Sequence, residues 1–283
     1  MNARATLPRP RPNARCLAAE VSALTEPVAR IAEAPLAIVS AMHQELRALL
    51  PLLQGSRSVE LAGRTFHLGA LHGHAVVLAL SGIGKVAAAT TATLLIHTFQ
   101  ARALVLTGVA GGLRNGVNVG DVVVARQLLQ HDLDVSPLFP RFVVPSSDRS
   151  HFDADTDLAD ALAAAAQRCL MAADRLLGAA TVHAFRLEQA RLHRGLVVSG
   201  DLFVSSAAQS AALRELLPDA LAVEMEGAAV AQVCADSGAP FAVVRCISDR
   251  ADDSAHVDFT RFIDAVASAY TAAIINDWLQ RTA

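Results

Sequence analysis

Short apolar runs alternate with longer stretches of helical periodicity from Leu36 almost to the end of the chain. A short, continuous apolar run predicts a buried strand, and apolar residues spaced three and four apart predict a helix. Strands are predicted at 36–41, 65–71, 75–80, 103–108, 121–125, 195–199, 220–223 and 241–247. Helices are predicted at 42–53, 85–98, 155–172, 206–216, 226–237 and 258–280.

This order of elements predicts one α/β domain, residues 35–283, in which a central mixed, mainly parallel sheet is flanked by helices in three layers. The strands within 65–80 are expected to form a hairpin. Aromatic residues make up only 4% of a chain that is 53% hydrophobic, so Ala, Val and Leu must fill the core. Small and branched residues of this kind suit parallel strands that are covered on both faces.

Two segments depart from this pattern. In residues 1–34, Arg4, Arg9, Arg11 and Arg15 lie among prolines, and no acidic residue precedes Glu20. We interpret this part as a mobile N-terminal extension. Residues 171–193 lack a clear period and are predicted to be a surface insertion.

Charge and cysteine usage exclude several classes of protein. The net charge is −3, and no basic stripe for nucleic-acid phosphates occurs. The four cysteines are widely separated and indicate reduced thiols in a cytoplasmic protein. The uncharged stretch 86–101 is too short for a membrane helix. The pair His72 and His74 and the string His131, Asp132, Asp134 offer metal ligands, but no further ligand group stands out, so no metal or cofactor is predicted.

Glu45 lies in the segment AIVSAMHQELRALL, where helical spacing places it on one face with Met42, Leu46 and Leu49. An unpaired carboxylate on the apolar face of a helix is unfavourable unless it has a function. A Glu in the first turn is also stabilised by the helix dipole. Both interpretations of Glu45 remain open at this point.

Two glycine-rich segments, SGIGK (81–85) and TGVAGG (107–112), follow apolar strands. We predict both as turns, in which glycine lets backbone amides approach a ligand. Neither matches the phosphate-binding or dinucleotide-binding patterns. Tight turns without a ligand would explain them equally well.

Charged residues interrupt two apolar runs near the C-terminus. LAVEMEGAAVAQV holds Glu224 and Glu226 two residues apart, and FAVVRCISDRADD holds Arg245 within a strand that ends at Ser248 and Asp249. Buried carboxylates need cations or hydroxyl groups, and a buried guanidinium needs an acidic partner. The start of a helix is an alternative role for one of the glutamates, and Ser-Asp is also a common N-cap pair.

These residues supply carboxylates, glycines and one buried Arg, with no GxSxG nucleophile motif. Such a set suits a reaction in which a leaving group is protonated, a cationic sugar is stabilised and water is guided to attack.

The motifs SAMHQEL, SGIGKVAAA, TGVAGG, GDVVV, HDLDV, VSGDLFV, VEMEGAAVAQV and VVRCISDRAD together resemble the 5'-methylthioadenosine/S-adenosylhomocysteine nucleosidases of the purine nucleoside phosphorylase-like superfamily. The resemblance runs in order from about Leu36 to Trp278 and omits the N-terminal extension and part of 171–193. It implies hydrolysis of the N-glycosidic bond of a 5'-thio purine nucleoside, with release of adenine.

The resemblance also implies roles for individual residues. Glu45 matches the carboxylate that activates the attacking water, and Asp249, beside Ser248, matches the acid that protonates the departing adenine. Glu226 matches the residue that binds the ribose hydroxyls. The further binding residues that it implies are Met42, Ile83, Gly111, Phe203, Val204, Glu224, Met225 and Phe259. Arg245 is added to this set because it is predicted to be buried in the adjacent strand.

Phe203 matches the aromatic residue that stacks on adenine, and the backbone at Val204 reads the edge of the base. Gly111 lines the sugar side, whereas Met42, Ile83 and Phe259 surround the 5'-alkylthio group. The family is homodimeric, and the segment after His131 is expected to reach the partner's pocket. The implied partners are therefore a nucleoside and a second copy of the chain.

One position departs from the family pattern, because Val109 stands where these nucleosidases usually have Ser. The related phosphorylases hold phosphate with that Ser and with an Arg at the position of Leu106, so hydrolysis is favoured over phosphorolysis. Two alternatives remain. The first is a related enzyme, either a phosphorylase or a nucleosidase for another 5'-substituted nucleoside, and the second is a non-catalytic nucleoside-binding protein. The sequence does not distinguish among 5' substituents.

Overall fold

A computed structural model describes residues 34–253 and 255–282, and of 256–258 only the backbone. The chain divides into two units, 1–33 and 34–283, and the predicted N-terminal extension lies outside the described residues except for Ala34. The strands are β1 (Leu36–Ser40), β2 (Gln54–Leu61), β3 (Arg64–Leu71), β4 (His74–Leu80), β5 (Ala103–Leu106), β6 (Val109–Gly112), β7 (Val122–Gln130), β8 (His151–Asp153), β9 (Leu192–Ser199), β10 (Ala220–Glu224) and β11 (Phe241–Asp249).

The helices are α1 (His43–Leu46), α2 (Lys85–His97), α3 (Thr156–Met171), α4 (Ala173–Leu177), α5 (Ala179–Phe185), α6 (Ala207–Leu216), α7 (Gly227–Ser237), α8 (Ala255–Phe262) and α9 (Ser268–Arg281). Short 3-10 turns occur at Leu50–Leu52 and Leu187–Gln189, and a π-helical segment, Ile263–Ala267, joins α8 to α9.

The strands form one mixed sheet in the order β2-β3-β4-β1-β5-β11-β6-β10-β9-β7-β8. Strand β11 pairs with β5 near its start, with β7 through its middle and with β6 near its end. Because β6, β10, β9 and β7 also pair in succession, this half of the sheet closes on itself. The predicted α/β fold with a mixed sheet is confirmed, and the closure brings the ends of β6, β10 and β11 together.

Two helix layers cover the open half of the sheet. Leu36 and Ile38 of β1 pack in the core cluster that includes residues of α1, α3 and α9. Ala37 and Val39 point to the opposite face, where α2 and α7 pack against each other. Since side chains alternate along a strand, a uniformly apolar β1 serves both layers.

The predicted hairpin is confirmed and is part of a three-stranded meander. Strand β3 joins β4 through a turn at His72 and Gly73, both with positive φ, as required in a tight two-residue hairpin turn. An equivalent turn at Ala62 and Gly63 connects β2 to β3. Strand β2 was not predicted, because it is an exposed edge strand without an apolar face.

The helix predicted at 42–53 is wrong beyond Leu46. Helix α1 ends there, and the chain continues into the 3-10 turn that contains Pro51, which has no N–H for a helical hydrogen bond and disfavours helix at the preceding residue. The prediction that these side chains point inward nevertheless holds, since Glu45, Leu46 and Leu49 are all buried.

The segment TGVAGG is a turn only at its start. Gly108 has a φ of +143°, and strand β6 begins at Val109.

Two further corrections concern helices. The insertion predicted at 171–193 forms α4, α5 and a 3-10 turn, and Ala173, Val182 and Leu187 are buried in the core. The last predicted helix begins earlier, at Ala255, and contains the π-helical segment.

Three of the four cysteines, Cys169, Cys234 and Cys246, are buried free thiols, and Cys16 lies outside the described residues. Within 34–253 and 255–282, no helix has both the length and the apolar character needed to cross a membrane.

Candidate active site

One cavity of about 420 Å³ lies where β1, β6, β10 and β11 end. Twelve of the thirteen predicted site residues line it: Met42, Glu45, Ile83, Gly111, Phe203, Val204, Glu224, Met225, Glu226, Ser248, Asp249 and Phe259. The remaining lining residues are Ala41, Val109, Ala110, Leu202, Val223 and Thr260. Sequence reasoning missed most of these because they are apolar neighbours of the flagged residues and have no chemical signal of their own.

Arg245, the thirteenth residue, lies behind the cavity wall and is 1% exposed. Its Nη2 donates to Glu224 and, at 3.2 Å, to Glu226, and its Nη1 donates to the carbonyl oxygen of Thr107 at 3.0 Å. The buried Nε–H has no hydrogen-bond partner among the described residues. Arg245 therefore supplies the positive charge that makes two buried glutamates tolerable.

Glu224 is held from several sides. It accepts hydrogen bonds from the hydroxyl of Ser199, from the backbone N–H of Gly227 at 2.8 Å and from that of Glu226 at 3.2 Å, in addition to Arg245. The backbone donors lie at the start of α7, where the helix dipole also favours a negative charge. Glu224 is thus saturated by the protein and orients Arg245.

Glu226 has fewer protein partners. Its Oε1 accepts from the backbone N–H of Gly84 at 3.0 Å, and its Oε2 accepts from Arg245. Burial raises the pKa of Glu226 to about 7, the charge of Arg245 acts against this shift, and the neighbouring Glu224 adds to it. Because it faces the cavity, Glu226 can accept further hydrogen bonds from hydroxyl groups of a ligand.

Glu45 lies on α1 and is 1% exposed. It accepts from the backbone N–H of Met42 at 2.8 Å and from that of Val109 at 3.1 Å. Burial raises the pKa of the Glu45 carboxyl, and the charge of Arg245 partly opposes the shift. A Cβ atom at Gly108 would overlap both Arg245 Nη1 and Glu45 Oε1, so a glycine is required for these side chains to approach each other.

Asp249 ends β11 and is also buried. Its Oδ2 accepts from the Ser248 hydroxyl at 2.8 Å, and its Oδ1 accepts from the backbone N–H of Ala251 at 2.8 Å. Gly111 faces it, and a Cβ atom there would come within 2.9 Å of Asp249 Oδ1. These contacts orient a carboxyl group toward one side of the cavity.

We use "floor" for the buried charged group Glu45, Glu224, Glu226, Arg245 and Asp249, and "rim" for Ile83, Leu202 and Phe203. The rim side chains are large, apolar and exposed, Ile83 by 59% and Phe203 by 40%. Phe203 packs edge-on against Phe259 with ring centroids 5.8 Å apart, whereas Val204 is buried. The cavity therefore combines a charged floor with aromatic and aliphatic walls, which suits a ligand with both polar and apolar parts.

Most side chains of the motifs that offered metal ligands form hydrogen bonds to protein groups, whereas the buried Nε2 of His131 has no partner among the described residues. His72 bonds Asn276 and His74 bonds the carbonyl oxygen of Leu279, while Asp132 binds Lys85. In the described part of the chain, no group of three or more His, Cys, Asp or Glu side chains is arranged to hold a metal ion.

The fold and the cavity agree with comparisons to known proteins. A family model for the phosphorylase superfamily matches residues 35–279, which defines the class of protein to which this sheet and site belong.

Within that class the similarity is more specific. The 5'-methylthioadenosine/S-adenosylhomocysteine nucleosidase of Bacillus thuringiensis (strain Al Hakam) is 35% identical over 240 residues, covering 85% of this chain and 96% of the relative. The chain therefore belongs to the 5'-methylthioadenosine/S-adenosylhomocysteine nucleosidase family.

Solved structures of this family superpose well. The nucleosidase from Neisseria meningitidis, in complex with methylthio-immucillin-A, has a TM-score of 0.77 and 34% identity, covering 88% of this chain and 100% of that one. The nucleosidase from S. pneumoniae, with the transition-state inhibitor MT-ImmA, has a TM-score of 0.74 and 32% identity, with 88% and 100% covered.

Proposed function

We propose that this chain hydrolyses the N-glycosidic bond of 5'-methylthioadenosine or S-adenosylhomocysteine and releases adenine and a 5-thio-ribose. The observation that supports it most is the convergence of Glu45, Glu226 and Asp249 on one cavity, each buried and each oriented by hydrogen bonds. Relatives that carry this family's name and bind nucleoside analogues support the same substrate class.

Each carboxylate has a distinct task in this proposal. Asp249 delivers a proton to the departing adenine, because a purine anion is a poor leaving group. Glu226 accepts hydrogen bonds from the ribose hydroxyls and stabilises the positive charge that develops on the sugar. Glu45 accepts a proton from the attacking water.

The apolar residues would select the substrate. Phe203 offers a face for the base, and the backbone at Val204 lies beside it. Met42, Ile83 and Phe259 form an apolar wall suited to a thioalkyl group, with Met225 and Gly111 lining the sugar side.

Water is a better candidate nucleophile than phosphate. The described residues that line the cavity include no Lys or Arg, and Arg245 is already engaged by Glu224 and Glu226. Leu106 is buried within β5, where the related phosphorylases are expected to have an Arg. Val109 lacks a hydroxyl, but its contact with Glu45 is made by the backbone N–H and does not depend on its side chain.

We also propose that the working form is a homodimer. Besides the rim, Leu138 is 83% exposed and Phe139 43%, in the segment that follows His131. Large apolar side chains clustered on a surface are typical of an interface with another protein. A cytoplasmic location remains a prediction from the reduced cysteines.

The test is a panel of nucleosides scored for free base, with and without phosphate. We expect 5'-methylthioadenosine and S-adenosylhomocysteine to release adenine in phosphate-free buffer. Strict dependence on phosphate, with a sugar phosphate as product, would show a phosphorylase instead. Release of a base only from other nucleosides would indicate a related enzyme with a different substrate. Tight binding without release would indicate a nucleoside-binding protein.

A further inference from the structure

Three sequence motifs meet outside the cavity through Lys85, Asp132 and Asp201. Lys85 begins α2 at the end of SGIGK, Asp132 follows β7 in HDLDV, and Asp201 follows β9 in VSGDLFV. None of the three residues lines the cavity. The roles proposed above do not explain why these charged residues come together.

Each of the three residues binds the other two. Asp132 accepts from Lys85 Nζ at 2.6 Å through Oδ1 and from the backbone N–H of Asp201 at 2.9 Å through Oδ2. Asp201 Oδ1 accepts from the backbone N–H of Lys85 at 2.8 Å, and its Oδ2 lies 4.0 Å from Lys85 Nζ. We call this triangle the loop clamp.

The loop clamp is not an ordinary surface ion pair. The Lys85 side chain is only 17% exposed, and Nζ also donates to Gln130 at 3.2 Å. Partial burial disfavours the charge on Asp132, but the hydrogen bonds from Lys85 and from the Asp201 backbone outweigh it and lower the pKa of the Asp132 carboxyl. Asp201 in addition caps the N-terminus of α2 from a different loop, where a carboxylate is favoured by the helix dipole.

The loop clamp is adjacent in sequence to both walls of the cavity. Ile83 lies two residues before Lys85, while Leu202 and Phe203 directly follow Asp201. Gly84, between Ile83 and Lys85, donates its N–H to Glu226. A Cβ atom at Gly200 would overlap the ring of His131, so the HDLDV segment also packs directly under the loop that carries Phe203.

We infer that Asp132 is a positioning residue, which holds the SGIGK turn and the loop of Phe203 at the separation that the substrate requires. This inference rests on the proposed function, because the two walls matter only if a nucleoside binds between them. Asp132 does not touch the cavity and acts through the two loops. The orientation of Glu226 is affected secondarily, through Gly84.

The test compares Asp132→Asn with Asp160→Asn. Asp160 is a matched control because it is also an aspartate with two protein contacts, to Arg126 and Arg194, and lies on α3 away from the cavity. For 5'-methylthioadenosine, Asp132→Asn is expected to raise KM about tenfold, with a smaller fall in kcat, because a charge-assisted hydrogen bond is lost. Asp160→Asn should leave both constants unchanged.

Lys85→Met completes the test as a double-mutant cycle. If the loop clamp acts as a unit, Lys85→Met and Asp132→Asn together should raise KM little more than either change alone, since contacting residues are not additive. Equal KM values for Asp132→Asn, Asp160→Asn and the unchanged chain would overturn the inference, as would fully additive effects.

Hydrogen–deuterium exchange gives a readout that does not depend on activity. Amides in 83–86 and 200–204 should exchange about tenfold faster in Asp132→Asn, as expected when a local hydrogen-bonded unit is weakened, and not in Asp160→Asn. If the unchanged chain released no base from any nucleoside, the proposed function would fail. Hydrogen–deuterium exchange would still test whether Asp132 holds the two loops together. Faster exchange confined to the two loops supports it, and unchanged exchange overturns it.

Discussion

The floor of the cavity consists of charged side chains that are almost completely buried, whereas the rim consists of large apolar side chains that are exposed. Every floor carboxylate is oriented by backbone N–H groups of its own chain. The rim side chains form no such hydrogen bonds themselves, and their position depends on the loops that the loop clamp joins. Leu138 and Phe139, in the segment that follows His131, are likewise apolar and exposed. A single chain therefore contains the groups for chemistry, and enclosure of the substrate is the task that we assign to the proposed second copy.

The same contrast exists within the floor, between Glu224 and Glu226. They lie two residues apart and share Arg245, but Glu224 is saturated by Ser199 and the start of α7, whereas Glu226 keeps hydrogen-bonding capacity toward the cavity. Adjacent carboxylates thus divide into one that orients Arg245 and one that can bind a ligand. Substitutions in each group test this division and that between floor and rim.

The largest effect is expected from Asp249→Asn. The amide retains the shape and can form hydrogen bonds but cannot protonate adenine, so kcat should fall by about 10²–10⁴-fold. Steady-state release of adenine measures the change, and nucleosides whose base leaves without protonation should recover activity. Asp253→Asn is the control, because Asp253 is exposed and, among the described residues, accepts from the backbone N–H of Ala207. Near-normal kcat in Asp249→Asn would reduce Asp249 to a structural role and contradict the mechanism.

A smaller effect is expected from Glu226→Gln, about tenfold to a hundredfold in kcat, because an amide lacks the negative charge that stabilises a cationic sugar. Binding of adenine alone should change little, since Glu226 is assigned to the ribose. Calorimetric titration with adenine and steady-state kinetics separate the two. If a folded Glu226→Gln kept its kcat, Glu226 would have to be removed from the site.

The activity should also depend on pH with a defined sign. Because the pKa of Glu226 is raised to about 7, lowering the pH through 7 protonates the carboxylate that binds the ribose, and kcat/KM should fall on the acid side. The loss should approach about tenfold per pH unit below the pKa. Glu226→Gln should remove this limb near pH 7. A flat profile from pH 8 to pH 5.5 in the unchanged chain would exclude a carboxylate role for Glu226.

The smallest effect is expected at the proposed dimer interface. Leu138→Glu places a charge on the proposed interface and should give a monomer by light scattering, with KM for the nucleoside raised several-fold because the apolar wall is left open. The floor is untouched, so kcat should change less than KM. A control is Leu176→Glu, at an exposed position on α4 away from the cavity. A fully active Leu138→Glu monomer would show that one chain encloses the substrate alone.

Much of the floor could be predicted because charged residues in apolar runs are conspicuous. Glu224, Glu226 and Arg245 interrupt β10, the start of α7 and β11, and Asp249 ends a buried strand. Their convergence could also be expected, since the ends of neighbouring strands meet at one edge of a sheet. The contacts among Lys85, Asp132 and Asp201 could not be predicted in the same way. A charged residue in a loop is usually exposed to solvent, so nothing in the sequence indicates that these three residues bind one another.

The elements that the sequence determined by itself are those whose stability is local or depends only on burial, such as the apolar strands β1, β5 and β11 and the long helices α2, α3 and α7. The sequence also determined that no regular α-helix runs through Pro51. Tertiary structure alone decided the rest. Strand β6 is rich in glycine and exists because β10 and β11 pair with it on both sides, and β2 exists because β3 offers it a free edge.

The division between Glu224 and Glu226 was likewise decided by partners far apart in the chain, Ser199, Arg245 and Gly84. Periodicity reports which side of an element is buried, but not which distant group lies opposite. Hydrogen bonds and charges act over a few ångströms, so the role of a buried carboxylate is set only when the fold brings its partners to it.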